Sequence, residues 1–207
     1  MINVTKLVVG DLDTNCYIVT KQDNDFALVI DPGDNYNGII AEVNKQGKSV
    51  GAVLLTHAHF DHALEVHKFK ANNVPVYMGK KEKIIVETPA NLGAFYGYDF
   101  VEFSADNELI EGLYEICGFK NVRVLDTPGH TIGSVCYIIE NYLFSGDTLF
   151  NLSFGRYTFP TGNKHVLYNS VQKLYHLDGD YIMLSGHGED TTLDYERKNN
   201  PALEYLK

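Results

Sequence analysis

The chain has 207 residues, a length most simply read as one domain (1–207) with room for a substantial core. Hydrophobic residues make up 44% and charged residues 21%, the balance of a soluble globular protein, and no apolar run is long enough to cross a bilayer. The net charge of −10 excludes a nucleic-acid surface read by bulk electrostatics, and the N-terminus Met1-Ile2-Asn3-Val4-Thr5-Lys6 has no signal-peptide pattern, so the expectation is a cytoplasmic protein.

In chain order, short apolar runs predict strands over residues 4–9, 16–20 and 26–30, the last closed by the turn Asp31-Pro32-Gly33-Asp34. A helix is predicted over 36–46 with Gly47 as its stop, then a strand over 50–55, a histidine-rich turn and a helix over 61–70. Residues 80–115 mix helical and loop signals. Beyond them come a strand at 122–125, a hairpin of 134–139 with 142–144 joined at Glu140-Asn141, a helix at 163–176, a strand at 181–184 and a helix at 191–198. Strands and helices interleave, but the hairpins require mixed sheets. Two packed sheets with helices outside is the simplest layered arrangement. Cys16, Cys117 and Cys136 are scattered among apolar neighbours and read as reduced core thiols.

The chemistry concentrates at Thr56-His57-Ala58-His59-Phe60-Asp61-His62, directly after the 50–55 strand. Imidazole and carboxylate are the preferred ligands of zinc and similar divalent ions. His57 and His59, two apart in extended chain, leave on one face and grip one ion. Asp61 and His62 follow as the chain turns into a helix, aimed at a displaced point where a second ion is expected. Three further candidates share one pattern, an apolar strand running into glycine and then one ligand-type residue: His130 after Pro128-Gly129, Asp147 after Ser145-Gly146, and His187 after Ser185-Gly186. A lone histidine is ordinarily a surface or packing residue. Four ligand types on one turn and three at matching strand ends favour a binuclear site instead. His67, His165 and His176 sit on predicted helices without such partners and read as solvated or packing residues.

On these residues the chain resembles the metallo-β-lactamase superfamily, whose signature H-x-H-x-D-H is met by His57, His59, Asp61 and His62. More narrowly it looks like the glyoxalase II-like (hydroxyacylglutathione hydrolase-like) branch. Thr14-Asn15-Cys16-Tyr17, Asp31-Pro32-Gly33, Gly146-Asp147-Thr148-Leu149-Phe150, Ser185-Gly186-His187-Gly188 and the late Glu196-Arg197-Lys198-Asn199-Asn200-Pro201 match landmarks along nearly the whole chain. The resemblance implies an αββα sandwich in the α/β class. It also implies that His57, His59 and His130 hold one metal, Asp61, His62 and His187 a second, and that Asp147 bridges them. Two departures stand out. Ala63-Leu64-Glu65 occupies a stretch where family members carry two glycines. Twenty residues follow His187, so no counterpart of the helical domain that supplies glutathione contacts in full-length glyoxalase II enzymes is expected, and the thiol half of the substrate is left open.

The implied activity is hydrolysis of a small-molecule thioester by a metal-bridging hydroxide, with zinc expected and iron or manganese suiting the same ligands. Two divalent ions bring about +4 and Asp61 and Asp147 return about −2, a centre that lowers the pKa of bound water to around 7. Asp61 is the catalytic candidate, as a ligand that also accepts a proton when the intermediate collapses. Arg156, in Phe154-Gly155-Arg156-Tyr157-Thr158-Phe159-Pro160-Thr161-Gly162, is a candidate for binding an anionic substrate group, with a structural pairing to a carboxylate as the other reading. Asp31 is read either as the orienter of a ligand histidine or as a turn cap. Residues 91–98 are read either as an entrance loop or as a packed hydrophobic loop. Competing activities on the same fold are a persulfide dioxygenase with a single iron held by two histidines and an aspartate, and a lactonase or β-lactamase. Metal storage or sensing is the non-enzyme alternative.

Overall fold

The structure, a computed structural model, describes residues 1–206. The first half of the chain builds one six-stranded sheet in sequential order. Strands β1 (Ile2–Val9), β2 (Thr14–Lys21) and β3 (Phe26–Ile30) run antiparallel, and β4 (Ser49–Leu55), β5 (Val76–Gly79) and β6 (Asn107–Leu109) add in parallel. The parallel steps need crossovers. These are α1 (Tyr36–Lys45), then α2 (Phe60–Ala63) with α3 (Val66–Ala71), then α4 (Lys83–Val86) with α5 (Gly93–Tyr96). In the second sheet β7 (Gly112–Ile116), β8 (Phe119–Asp126), β9 (Val135–Ile139) and β10 (Tyr142–Gly146) form an antiparallel meander. A small ribbon of β11 (Leu149–Phe150) and β12 (Ser153–Phe154) and helix α6 (Lys164–Tyr175) lead to β13 (Ile182–Ser185), which pairs parallel to β10. The edge strand β14 (Thr191–Thr192) and helices α7 (Leu193–Asn199) and α8 (Ala202–Leu206) complete the chain.

Side-chain alternation explains the four layers. On the inner face of the first sheet, Tyr17, Val19, Leu28, Ile30, Ala52 and Leu54 meet Val122, Val124, Val135, Tyr137, Ile139 and Phe144 of the second. Tyr17 and Phe144 pack edge to face with ring centroids 5.4 Å apart. The residues between them in sequence point the other way: Ile18, Val29, Val53 and Leu55 pack under Ile39 and Val43 of α1 and Val66 and Phe69 of α3. Leu125, Cys136, Ile138, Leu143 and Met183 likewise pack under Leu167, Val171 and Leu174 of α6. Both faces of each sheet are therefore apolar, which gives helix, sheet, sheet, helix, the expected αββα sandwich.

Several differences from the sequence reading have local causes. The helix expected over 61–70 is broken into α2 and α3 because the Glu65 N–H turns to the Pro32 carbonyl at 3.2 Å. The ambiguous 80–115 stretch contains two short helices and a strand before β7, too short to show a period in sequence. Strand β8 begins earlier than residue 122 because Cys117 and Gly118 both take positive φ and close a tight hairpin from β7. Helix α6 follows the sequence closely: Asn163 caps it, accepting the Val166 N–H at 3.1 Å. No helix among the described residues is long and apolar enough to cross a membrane.

Leu54, fully buried between the sheets, provides a test of this layering. Leu54→Ala is expected to cost about 2–5 kcal/mol in urea unfolding, whereas Val8→Ala on the exposed side of β1 should cost under about 0.5 kcal/mol.

Candidate metal centre

Every residue of the expected ligand set lies just past the C-terminal end of a strand, at one rim of the sandwich. His57 and His59 follow β4, and Asp61 and His62 sit in α2. His130 follows β8, Asp147 follows β10 and His187 follows β13. Because β4 belongs to the first sheet and the other three strands to the second, stacking the sheets brings the seven side chains together. Three trios have ligand atoms within 4.8 Å of one another: His57, His59 and His130; His57, His62 and Asp147; Asp61, His62 and His187. The His130 Nε2 lies 2.9 Å from His59 Nδ1 and 3.2 Å from His57 Nε2. The His62 Nε2 is 3.5 Å from Asp61 Oδ2 and 3.4 Å from Asp147 Oδ1. Asp147 Oδ2 reaches both His130 Nε2, at 3.5 Å, and His187 Nε2, at 3.6 Å, so this carboxylate stands between the two ends of the cluster.

The outer hydrogen bonds decide which ring nitrogens face inward. His130 Nδ1 donates to the Arg156 carbonyl at 2.6 Å, His187 Nδ1 to the Leu12 carbonyl at 3.0 Å and His62 Nδ1 to Asp31 Oδ2 at 3.0 Å. The Thr56 hydroxyl donates to Asp31 Oδ2 at 2.6 Å, which leaves it as acceptor for His57 Nδ1 at 3.2 Å. In each case the Nδ1 proton is committed outward and the Nε2 lone pair is turned into the cluster. His59 is reversed, with Nδ1 inward. Lone pairs at 2.9 and 3.2 Å from one another cannot all be satisfied by protons. His62 Nε2 and Asp147 Oδ1 are buried without a hydrogen-bond partner. A divalent cation satisfies such a set of donors, so the residues present fit a metal.

The electrostatics separate the two ends. Burial, aided by neighbouring imidazoles, holds His57 and His59 well below the ordinary histidine pKa, and burial lowers His130 despite Asp147. Burial opposes protonation of His62 as well, but Asp61, Asp147 and Asp31 outweigh it and push His62 up to about 10. Asp61 is lowered: burial raises it, and His62 and His187 more than compensate. The trio of His57, His59 and His130 is thus the imidazole end, Asp61 lies at the other, and Asp147 stands between them.

His187, Asp61 and Asp147 are the members not fully buried, so the cluster opens to solvent on their side. It opens into a cleft of about 600 Å³ walled by Phe150, Phe154, Tyr157 and Phe159 and bordered by Arg156. The Arg156 guanidinium lies 4.6 Å from the Phe159 ring centroid, and its Nε donates to Thr158 Oγ1 at 2.9 Å. Among the described residues no carboxylate lies within 4.0 Å of Arg156, which sets aside its structural pairing with an acid. Phe60, between His59 and Asp61, stacks on Tyr96 and Tyr98, and Asn91, Leu92 and Gly93 at the start of the 91–98 loop are buried. His67, His165 and His176 stay outside the cluster, and the three cysteines are free.

Some supporting contacts had no role assigned to them from sequence. Thr14 donates to Asp61 Oδ2 at 3.2 Å, and the Leu12 carbonyl orients His187. Asn15 and Tyr17 both donate to the Ser185 carbonyl, at 2.9 and 2.7 Å, tying β2 to the turn that carries His187. Gly186 shows why glycine precedes a ligand: a Cβ there would lie 2.2 Å from Asp147 Oδ1 and 2.8 Å from the His62 ring. The glycine-then-ligand pattern was visible in sequence. The partners on β2 stood out only as the landmark Thr14-Asn15-Cys16-Tyr17, which named no contact.

A family model described as the metallo-beta-lactamase superfamily matches residues 9–187. A probable metallo-hydrolase of Bacillus subtilis, YqgX, is 34% identical over 205 residues, covering 96% of both chains. The hydroxyacylglutathione hydrolase GloC of Haemophilus influenzae is 29% identical over 213 residues, covering 97% of this chain and 98% of its own. Among solved structures, that of the BLEG-1 B3 metallo-beta-lactamase superposes with a TM-score of 0.89 at 34% identity, covering 97% of this chain and 99% of its own.

Asp31 joins the Thr56 backbone and hydroxyl and His62 through one carboxylate. Asp31→Ala is expected to weaken divalent-metal affinity about 10–100-fold in a chelator competition, the usual effect of losing such an outer partner. Unchanged affinity would reduce Asp31 to a turn cap.

Proposed function

The chain belongs to the metallo-beta-lactamase superfamily, and we propose that within it the protein is a two-metal hydrolase of small-molecule thioesters. The observation that carries this reading is the set of outer hydrogen bonds, which turns four Nε2 atoms toward the volume shared by His59 Nδ1, Asp61 and Asp147. His57, His59 and His130 would hold one ion, Asp61, His62 and His187 the second, and Asp147 would contact both. When bound, the ions supply Lewis acidity, making water a nucleophile near neutral pH and stabilising charge on the substrate carbonyl oxygen. The choice of a thioester is supported by the match to GloC along nearly the full length of both chains.

The chain's own residues supply orientation and enclosure. Asp61, kept ionised by His62 and His187, accepts a hydrogen bond from the attacking water and directs it across the cleft. Phe150, Phe154 and Phe159 give the cleft an apolar wall suited to the hydrocarbon and sulfur portions of a thioester. Arg156 is the positive charge on that wall, with its terminal NH groups free for a carboxylate elsewhere on the substrate. The reaction breaks the acyl carbon–sulfur bond and adds water, giving a carboxylate and a thiol. A second reading, β-lactam hydrolysis by the same residues, is favoured by the likeness to the BLEG-1 enzyme.

Exhaustive chelation is expected to abolish hydrolysis of S-acylglutathione thioesters, and readdition of zinc to restore it. Activity that survives in a verified metal-free preparation would end the proposal. A β-lactam hydrolysed with a much higher kcat/KM than any thioester would select the second reading. Uptake of oxygen on a persulfide by a protein holding one iron would replace both. Within the leading reading, Arg156→Ala should raise KM for carboxylate-bearing thioesters about 10–100-fold, the size of a lost charged hydrogen bond, with little change for neutral ones. An equal effect on both classes would remove Arg156 from substrate recognition.

A further inference from the structure

We infer that Glu82 is a positioning residue that fixes the spacing between the two loops carrying His57, His59 and His130; the inference rests on the two-metal reading of the cluster. Glu82 ends a short 3₁₀ turn, Lys80–Glu82, directly after β5, and its side chain is fully buried. Its Oε2 accepts the N–H of Ala58 at 2.7 Å, and Ala58 is the residue between His57 and His59. Its Oε1 accepts the Thr131 hydroxyl at 2.5 Å and the Gly133 N–H at 2.9 Å, and Thr131 is the residue after His130. The two loops leave different sheets, one from β4 and one from β8. One carboxylate, rigid and planar, therefore clasps both. The fit is close: a Cβ on Gly133 would lie 2.5 Å from the Glu82 backbone nitrogen.

The clasp comes at an energetic cost that packing alone would not require. Among the described residues no basic side chain pairs with Glu82. Burial pushes its carboxyl up to about 7, against the opposing pull of its three hydrogen bonds. An apolar residue would join the loops without desolvating a charge. What the carboxylate adds is two acceptor atoms a fixed distance apart, each satisfying a group adjacent to a ligand. The nitrogens that this spacing controls are only 2.9–3.2 Å apart, so a small shift of either loop changes the bite offered to an ion. The trio of Asp61, His62 and His187 is oriented by other groups, Asp31, Thr14 and Leu12. Glu82 should therefore act on one ion position and not the other.

Glu82→Gln is the informative variant, because its amide matches the carboxylate in size but must aim its NH₂ at a backbone N–H, either that of Ala58 or that of Gly133. Metal-free protein is titrated with zinc against a chromophoric chelator, and His130→Ala and His187→Ala identify which binding step belongs to which trio. The expected result is that Glu82→Gln weakens the His57/His59/His130 step about 10–100-fold and leaves the other within about two-fold. Thr131→Val, which removes one donor, should weaken the same step by a smaller factor and serves in place of Glu82→Gln if that variant does not fold. Melting of the metal-free proteins provides the second readout. Unchanged affinity at both steps, or an equal fall at both that follows the loss of Tm, overturns the positioning role. Wild-type protein that takes up fewer than two zinc ions overturns the two-metal reading itself, and the role of Glu82 with it.

Discussion

Five imidazoles and two carboxylates packed against one another, with most of their spare protons already committed outward, form the constraint on which the rest of the molecule depends. His57, His59, His62 and His130 are buried, and their inward nitrogens face other nitrogens or carboxylate oxygens at 2.9–3.5 Å. Inward imidazole nitrogens this close repel one another, and the surrounding fold holds them in place. The protein meets this with rigid outer partners: Asp31, Thr56, Leu12, the Arg156 carbonyl and Glu82. Stability and function therefore oppose each other locally. A divalent ion offers these nitrogens and carboxylate oxygens one common partner.

The sandwich supplies the rigidity. Apolar residues on both faces of each sheet lock the strands between helices, so the strand ends are fixed relative to one another before any ligand side chain is placed. Ligands that follow β4, β8, β10 and β13 then converge at one rim, while the substrate-facing wall is made from the β12 region and the residues after it, including Phe154, Arg156 and Phe159. The ligands sit on short turns held by strands, and the loop that walls the cleft is tied to them, because the Arg156 carbonyl accepts from His130 Nδ1.

Much of this was legible in the sequence because the signals were local. His57, His59, Asp61 and His62 fall within six positions, and Gly129, Gly146 and Gly186 mark the turns into His130, Asp147 and His187. The long strands and α1 and α6 announced themselves through period and caps. What escaped detection depended on tertiary partners. The break between α2 and α3 exists because the Glu65 N–H finds the Pro32 carbonyl, a bond no window of sequence contains. Thr14, Asn15 and Tyr17 matched a family landmark in the sequence, but what they hold shows only when β2 is laid beside the His187 turn. Glu82 stood in a stretch of mixed signals with no feature to distinguish it from a surface glutamate. Arg156 was visible as a candidate for an anionic group, but that no carboxylate among the described residues pairs with it is a fact of three dimensions.

The central claim is that seven side chains from one rim form a centre for two ions. The most direct measurement is anomalous diffraction, at the absorption edge of the bound metal, from crystals of the metal-loaded protein. Two peaks are expected, one among His57, His59 and His130, the other among Asp61, His62 and His187, with Asp147 contacting both. A single peak at full occupancy, or peaks away from these residues, would contradict it.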